Sequence, residues 1–202
     1  IPHKRRDEDM AKLYFKYGAM GSSKTATALI TKYNYEERGM RVWLIKPAAD
    51  RRDGEFTLRS RIGLTAQCEA IGPECDLRER YAAHGRADVI IVDECQFFTI
   101  HQIETLRNIA SFLDIPVLCY GLRTDYKHQL FPGSKALFEL ADSIQEIKTV
   151  CKCGNKAIIN VLKDENGNVV TDAGNSNIIL GGNEKYEAMC YKCYFNAVHG
   201  GK

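Results

Sequence analysis

The sequence predicts an α/β fold, a parallel sheet flanked by helices, followed by a small C-terminal subdomain. Three observations carry this reading. Strand-like and helix-like segments alternate over the first 148 residues, the pattern of a parallel sheet wound by right-handed crossovers. Ala87 to Val92 is an uninterrupted apolar run, as expected of a strand buried on both faces of such a sheet. From Thr149 onward the character changes to paired cysteines, a hairpin signal at Asn166-Gly167 and a glycine- and asparagine-rich loop from Asp172 to Asn183. Residues 10–148 are therefore expected to form the core and 149–202 the appended subdomain. Ile1 to Asp9 are charged and patternless and precede a natural-looking start at Met10-Ala11-Lys12. They are set aside as an appended remnant or disordered arm.

Leu13 to Tyr17 is the first strand, rich in aromatics, and runs into a turn at Gly18. A helix follows from about Thr25 to Arg38, stopped by Gly39. Arg41 to Ile45 is the second strand. The arginine-rich segment from Lys46 to Gly63 has no period and is expected to be a mobile loop. Thr65 to Ile71 reads as a third strand. Pro73 suits the first position of a helix that ends near Gly85. After the central strand, Thr99 can cap a helix whose apolar face is Ile103, Leu106, Ile109, Ala110 and Leu113. Ile115 to Tyr120 is the next strand.

Composition narrows the function. With 202 residues, 45% of them hydrophobic, the chain can bury a substantial core. Lys and Arg number 28 against 26 Asp and Glu, which gives no general electrostatic case for nucleic acid or a membrane surface. Apolar stretches such as Val89 to Val92 fall far short of the ~20 residues a membrane span needs. The expectation is a cytoplasmic protein acting on small molecules. Its eight cysteines fall into two groups. Cys68, Cys75, Cys95 and Cys119 are scattered; Cys151, Cys153, Cys190 and Cys193 come as two close pairs.

Gly18-Ala19-Met20-Gly21-Ser22-Ser23-Lys24-Thr25 matches the phosphate-loop pattern G-x-x-x-x-G-K-[ST] except at Ser23, where glycine is expected. It follows a strand and opens a helix, so backbone amides and the positive helix end can surround a triphosphate. Lys24 would reach the outer phosphates and the Thr25 hydroxyl would ligate Mg2+. On the pattern alone, a glycine-containing turn before an ordinary helix remains open. Ile90-Ile91-Val92-Asp93 adds the second half of the device, an apolar strand ending in an acid that can hold the magnesium shell. Glu94, at the strand's end, is then a candidate general base for an acceptor hydroxyl. Together these features predict a P-loop NTPase-like sheet that binds ATP.

Around Asp93-Glu94-Cys95-Gln96-Phe97-Phe98 the sequence resembles the type II thymidine kinases. The phosphate loop fits that family. So do Lys46-Pro47-Ala48-Ala49-Asp50-Arg51-Arg52 and Ser60-Arg61-Ile62-Gly63, on either side of its lid. Tyr120 to Tyr126 with Phe131 to Ser134, and Leu180 to Tyr186, fit as well. The resemblance spans nearly the whole chain from Met10 and implies transfer of the ATP γ-phosphate to the 5′-hydroxyl of thymidine, a step of pyrimidine deoxynucleoside salvage. It makes Glu94 the proton acceptor. It puts Asp93 and Gln96 near nucleotide and magnesium, and Asp50 and Arg52 on the nucleotide side. Tyr126 and Phe131 would line the base pocket, with Leu122 and Met20 as apolar contacts. Asn177, Ile178, Ile179, Leu180 and Gly181 would hydrogen-bond the pyrimidine through their backbone, and Tyr186 would close that loop. A lid arginine, Arg52 or Arg61, would offset developing charge. Without the family match, Tyr126 and Phe131 could equally be core packing.

The family also implies a homotetramer inhibited by dTTP. Two departures stand out: Ser23, and Arg123 where some members carry an acid. A nucleoside kinase of other specificity, or a zinc-containing nucleotide-binding protein without catalysis, are the alternatives.

Thiolates are preferred ligands of structural zinc, and a four-cysteine site stabilises a segment that lacks its own core. Cys190-Tyr191-Lys192-Cys193 has the usual spacing, whereas Cys151-Lys152-Cys153 is one residue tighter. The tight pair resembles a variant in the same family that binds zinc. A disulfide or free thiols are the other readings.

Overall fold

The computed structural model describes residues 10–172 and 185–200. Its centre is a six-stranded sheet in which every pairing is parallel. In chain order the core elements are β1 (Leu13–Tyr17), α1 (Lys24–Glu36), β2 (Val42–Pro47), β3 (Thr57–Arg59), β4 (Thr65–Gln67), β5 (Glu69–Ile71), α2 (Leu77–His84), β6 (Val89–Val92), α3 (Ile100–Leu113), β7 (Val117–Gly121), α4 (Pro132–Leu140) and β8 (Ser143–Glu146). The sheet order is β5-β2-β6-β7-β1-β8.

Side chains alternate across the strands and so feed two cores. Trp43, Ile45, Ile90, Val92, Val117 and Cys119 face α3 and α4, packing with Ile103, Leu106 and Leu137. Leu44, Val89, Ile91, Leu118 and Tyr120 face the other way, onto Ala28 and Leu29 of α1. The helix after β6 begins with the predicted cap: Thr99 accepts from the Gln102 amide and Gln102 returns the bond, a full capping box.

Four expectations for the core need correction. Lys46 to Gly63 is not wholly a loop: β2 runs through Pro47, and β3 pairs antiparallel with β4 as a separate hairpin. The predicted strand Thr65 to Ile71 is thereby split, β4 going to the hairpin and β5 to the edge of the main sheet. Pro73 does not start α2. Asp76 caps it instead, its carboxylate accepting from the Arg78 and Glu79 amides, which satisfies two helix-end donors that Pro73 could not serve. Leu113, read as part of the apolar face of α3, is 52% exposed at the helix end.

Beyond β8 come β9 (Thr149–Val150), β10 (Lys156–Ala157), β11 (Ile159–Lys163), β12 (Val169–Val170), β13 (Tyr186–Met189) and α5 (Tyr191–His199). β9 and β10 pair as a hairpin, and β12-β11-β13 form an antiparallel sheet. The turn at Gly167 joins β11 and β12 as expected, with the Asp164 side chain accepting from the Asn166 and Asn168 amides. Among the described residues no helix is long and apolar enough to cross a membrane.

Candidate active site

The phosphate loop joins β1 to α1. At Gly18 the chain passes so close to its neighbours that a Cβ would lie 2.4 Å from the Ile147 carbonyl oxygen, so only glycine fits. At Ser23 the backbone is left-handed, φ 60°, a conformation glycine adopts freely and other residues at a cost. The glycine expected at this position is thus explained by backbone conformation; the Ser23 side chain itself is exposed. Lys24 lies within the loop. Its ammonium donates to the carbonyls of Gly18 and Ala19 at 3.1 and 2.9 Å and to Ser22 Oγ at 3.3 Å. Burial lowers its pKa to about 8, opposed by the charges of Glu94 and Asp93.

Asp93 ends β6 facing the loop, and Thr25 Oγ1 donates to its Oδ2 at 2.8 Å. It is fully buried, and desolvation, with the neighbouring Glu94 charge, raises its pKa. Consecutive strand residues should point to opposite faces. The chain escapes this at Glu94, which takes a left-handed conformation, φ 49°, before a 3₁₀ turn over Cys95–Phe97. Both carboxylates therefore line one cavity.

Glu94 is held from two sides: Arg52 donates to Oε1, and Gln96 Nε2 donates to Oε2 at 2.6 Å. Gln96 is 1% exposed and accepts from the Leu122 amide at 2.9 Å. Arg52 also donates to Asp50 at 2.7 Å. Burial alone would lower its pKa, but the Glu94 and Asp50 carboxylates outweigh that and raise it. Arg61 is lowered by burial and by the Arg52 charge.

The cavity has a volume of about 480 Å³. It is lined by the loop from Met20 to Thr25 and by the polar side chains of Asp50, Arg52, Asp93, Glu94 and Gln96. The apolar and aromatic side chains of Leu122, Tyr126, Phe131 and Tyr186 line the same cavity. Phe131 immediately precedes Pro132, the first residue of α4, and meets Phe97 edge-on at 5.5 Å. A flat ring fits between such aromatic faces. Gly18 and Ala19, at the start of the loop, do not line this cavity. Arg123 also points away from it, its guanidinium 3.4 Å from the Ile158 carbonyl. Asn177, Ile178, Ile179, Leu180 and Gly181 lie outside the described residues.

Two buried polar residues went unnoticed in the sequence. Lys46 is 1% exposed and donates to the carbonyls of Gly54 and Thr57 at 2.8 and 3.0 Å, pinning both ends of the lid. Asn160, on β11, reaches into the cavity. Its one visible signal was a polar side chain inside the apolar run Ile158 to Leu162.

The sulfurs of Cys151, Cys153, Cys190 and Cys193 all lie within 4.8 Å of one another, and none is in a disulfide. Cys153 and Cys190 are 3.6 Å apart. This suits four thiolates about 2.3 Å from one tetrahedral ion and is far longer than a disulfide bond of about 2.05 Å. The Asn155 amide group and the Cys193 backbone amide donate to Cys153 and Cys190 sulfurs, respectively, at 3.4 Å each.

Comparison with known proteins agrees with this geometry. A family model described as thymidine kinase matches residues 11–194. A thymidine kinase of Yersinia pestis is 42% identical over 192 residues, covering 94% of this chain and 97% of the relative. One of Legionella pneumophila is 44% identical over 185 residues, 90% and 88% of the two chains. One of Vibrio cholerae is 41% identical over 192 residues, 94% and 99%.

Proposed function

The chain belongs to the thymidine kinase family, and we propose that it transfers the γ-phosphate of ATP to the 5′-hydroxyl of thymidine with Glu94 as general base. The observation that carries this reading is one cavity lined by the phosphate loop, two carboxylates and the aromatic rings of Phe97, Tyr126, Phe131 and Tyr186.

Phosphoryl transfer requires positioning and charge neutralisation more than covalent chemistry. The loop amides and Lys24 bind the phosphates. Thr25 and Asp93 would hold Mg2+, whose charge offsets that on the β- and γ-phosphates. Tyr126, Phe131, Leu122 and Met20 clamp the base, and ring stacking contributes about 1–3 kcal/mol. With the base there, the 5′-hydroxyl points toward Glu94, which accepts its proton as oxygen attacks phosphorus. Gln96 orients the carboxylate while tying it to the Leu122 backbone. Arg52, between Asp50 and Glu94, supplies a fixed positive charge on the same side. Asn177 to Gly181 would hydrogen-bond the pyrimidine through their backbone, and Tyr186 would close that loop.

The four cysteines fit a structural zinc ion: all four thiolates are protein ligands and no position is left for water. A homotetramer, inhibition by dTTP and a cytoplasmic location complete the proposal, supported by family membership. Light scattering, and assay with added dTTP, test the first two.

The function is tested by offering labelled Mg-ATP with thymidine, deoxyuridine, deoxycytidine and deoxyadenosine to the wild type and to Glu94→Gln. Thymidine monophosphate formed by the wild type and reduced by about 10²–10⁴ in the variant is expected for a lost general base. Preference for another nucleoside would change the substrate assignment, and ATP binding without transfer to any of them would overturn the kinase reading.

A further inference from the structure

Asn160 belongs to the C-terminal subdomain, yet both ends of its side chain are engaged elsewhere. It is 3% exposed. Its Oδ1 accepts from the Met20 amide at 2.8 Å, and its Nδ2 donates to the Thr124 carbonyl at 3.0 Å. Because both partners are backbone groups, one with only a proton to give and the other with only lone pairs, the orientation of the amide is fixed. Met20 is in the phosphate loop. Thr124 lies between Leu122 and Tyr126, which both line the cavity. Met20, Thr124 and Asn160 all line that cavity.

We propose that Asn160 is a positioning residue that sets the phosphate loop against the nucleoside-side wall, making the C-terminal subdomain part of the reaction geometry. This deepens the functional reading above and rests on it. The two bonds span the seam between the donor and acceptor halves of the site, and displacement of reacting groups by about 1 Å can cost roughly 10²-fold in rate. A carboxylate in its place would set lone pairs against the Thr124 carbonyl. An apolar side chain of the same shape would leave both backbone groups unmet. The subdomain braces the loop at a second point, where Thr149 Oγ1 donates to the Gly21 carbonyl at 3.3 Å. Asn160 is itself fixed by strand pairing: β11 runs against β13, Ile159 opposite Met189, one residue before Cys190.

The test is steady-state kinetics on the full chain with Mg-ATP and thymidine, comparing wild type, Asn160→Leu and Asn160→Asp well below each melting midpoint. Asn160→Leu keeps the volume and loses both bonds. We expect kcat/KM to fall at least tenfold for each substrate. Asn160→Asp keeps the acceptor for Met20 and loses the donor for Thr124, and should lose at least fivefold for thymidine; it decides the matter if Asn160→Leu does not fold. A role in stability alone would lower the melting midpoint and leave these constants within twofold of wild type, and that result overturns the proposal. So does a loss in Asn160→Leu confined to one substrate, since a bridge serves both. A wild type that phosphorylates thymidine, beside unchanged variants, sinks the Asn160 role alone. A wild type inactive on every nucleoside removes the functional reading and this inference with it.

Discussion

The α/β core and the C-terminal subdomain reach order by opposite means. The core buries apolar residues on both faces of its sheet, with Leu13, Phe15, Val89, Ile90, Ile91 and Val92 all at 0% exposure. Burial of such side chains contributes about 1.5–3 kcal/mol each, so the sheet needs no other fastening. The cluster around the paired cysteines has only Cys151, Ala157 and Cys190 as buried members. Two of those three are candidate metal ligands. No buried residue occurs in α5, which is capped at its start by the Cys190 sulfur. Ile159, Val161 and Leu162 of β11 are buried, but the stretch from β13 through α5 is held by pairing with β11, by the Glu187 contacts to Lys152 and Lys163 and, on the proposed zinc site, by the four sulfurs. A region that depends on few bonds of large individual energy should fail abruptly, and one that depends on many small contacts should fail by degrees.

The largest effect should come from removing the proposed zinc ion. Structural zinc contributes roughly 10–16 kcal/mol of apparent binding energy in small peptides, far more than this segment's apolar packing can replace. We expect Cys190→Ala, or a strong chelator, to abolish one-zinc-per-chain stoichiometry and melt the segment around β13 and α5, while the main sheet stays folded. Hydrogen exchange checks this: protection should vanish in residues 186–199 and persist in β6 and β7. Loss of protection throughout would mean the two regions are not separately stabilised.

Next in size is a deletion in the core. Leu106 is fully buried against the sheet, and truncating such a leucine costs about 2–5 kcal/mol through lost transfer energy and the cavity left behind. Leu106→Ala should lower the urea midpoint of the whole molecule with metal content unchanged. A variant that lost zinc as readily as stability would erase the contrast.

Lys46 tests a boundary between the two modes, a cation 1% exposed on a core strand. Lys46→Met keeps much of the volume but leaves the Gly54 and Thr57 carbonyls without their donor and removes the ammonium 3.9 Å from Asp50. A loss of about 1–3 kcal/mol is expected from the carbonyls left without a donor, while Asp50 keeps its bond from Arg52. KM for ATP should also rise, because Asp50 and Arg52 sit at the base of the lid that Lys46 pins. Urea unfolding and ATP titration together check it. Unchanged ATP dependence would confine Lys46 to stability.

How much of this was legible in the sequence follows the same division. Elements defined by apolar burial were readable: β1, β6, β7 and most of α3 follow hydrophobic pattern alone, and Thr99 announced its cap. The phosphate loop and Asp93-Glu94 were readable as motifs. What was hidden depends on partners distant in sequence. Thr65 to Ile71 looks like one strand because nothing local shows that its halves join different sheets. Pro73 suits a first helical position, but the helix starts at the Asp76 cap three residues on. Leu113 fits the helical period of α3 but falls at its exposed end. Lys46 shows its role only once the lid folds back to give it the Gly54 and Thr57 carbonyls, and Asn160 only once the fold brings it to a backbone amide and a carbonyl far along the chain.

The smallest effect should come from Ser23, the one departure within the phosphate loop. Its left-handed backbone costs a serine roughly 1–2 kcal/mol, and glycine would remove that cost. Glycine also loses more conformational freedom on folding, roughly 0.5–1 kcal/mol in regular structure. The two terms largely cancel, so Ser23→Gly should shift stability by under about 1 kcal/mol. The Ser23 side chain makes no capping bond at the start of α1, so none is lost on substitution. Its carbonyl keeps the Thr27 amide bond of 2.9 Å whatever the side chain. KM for ATP should therefore stay the same or fall. A rise of tenfold or more would mean that the serine hydroxyl itself contacts the nucleotide, and that this loop binds phosphate with a side chain where backbone amides were expected to suffice.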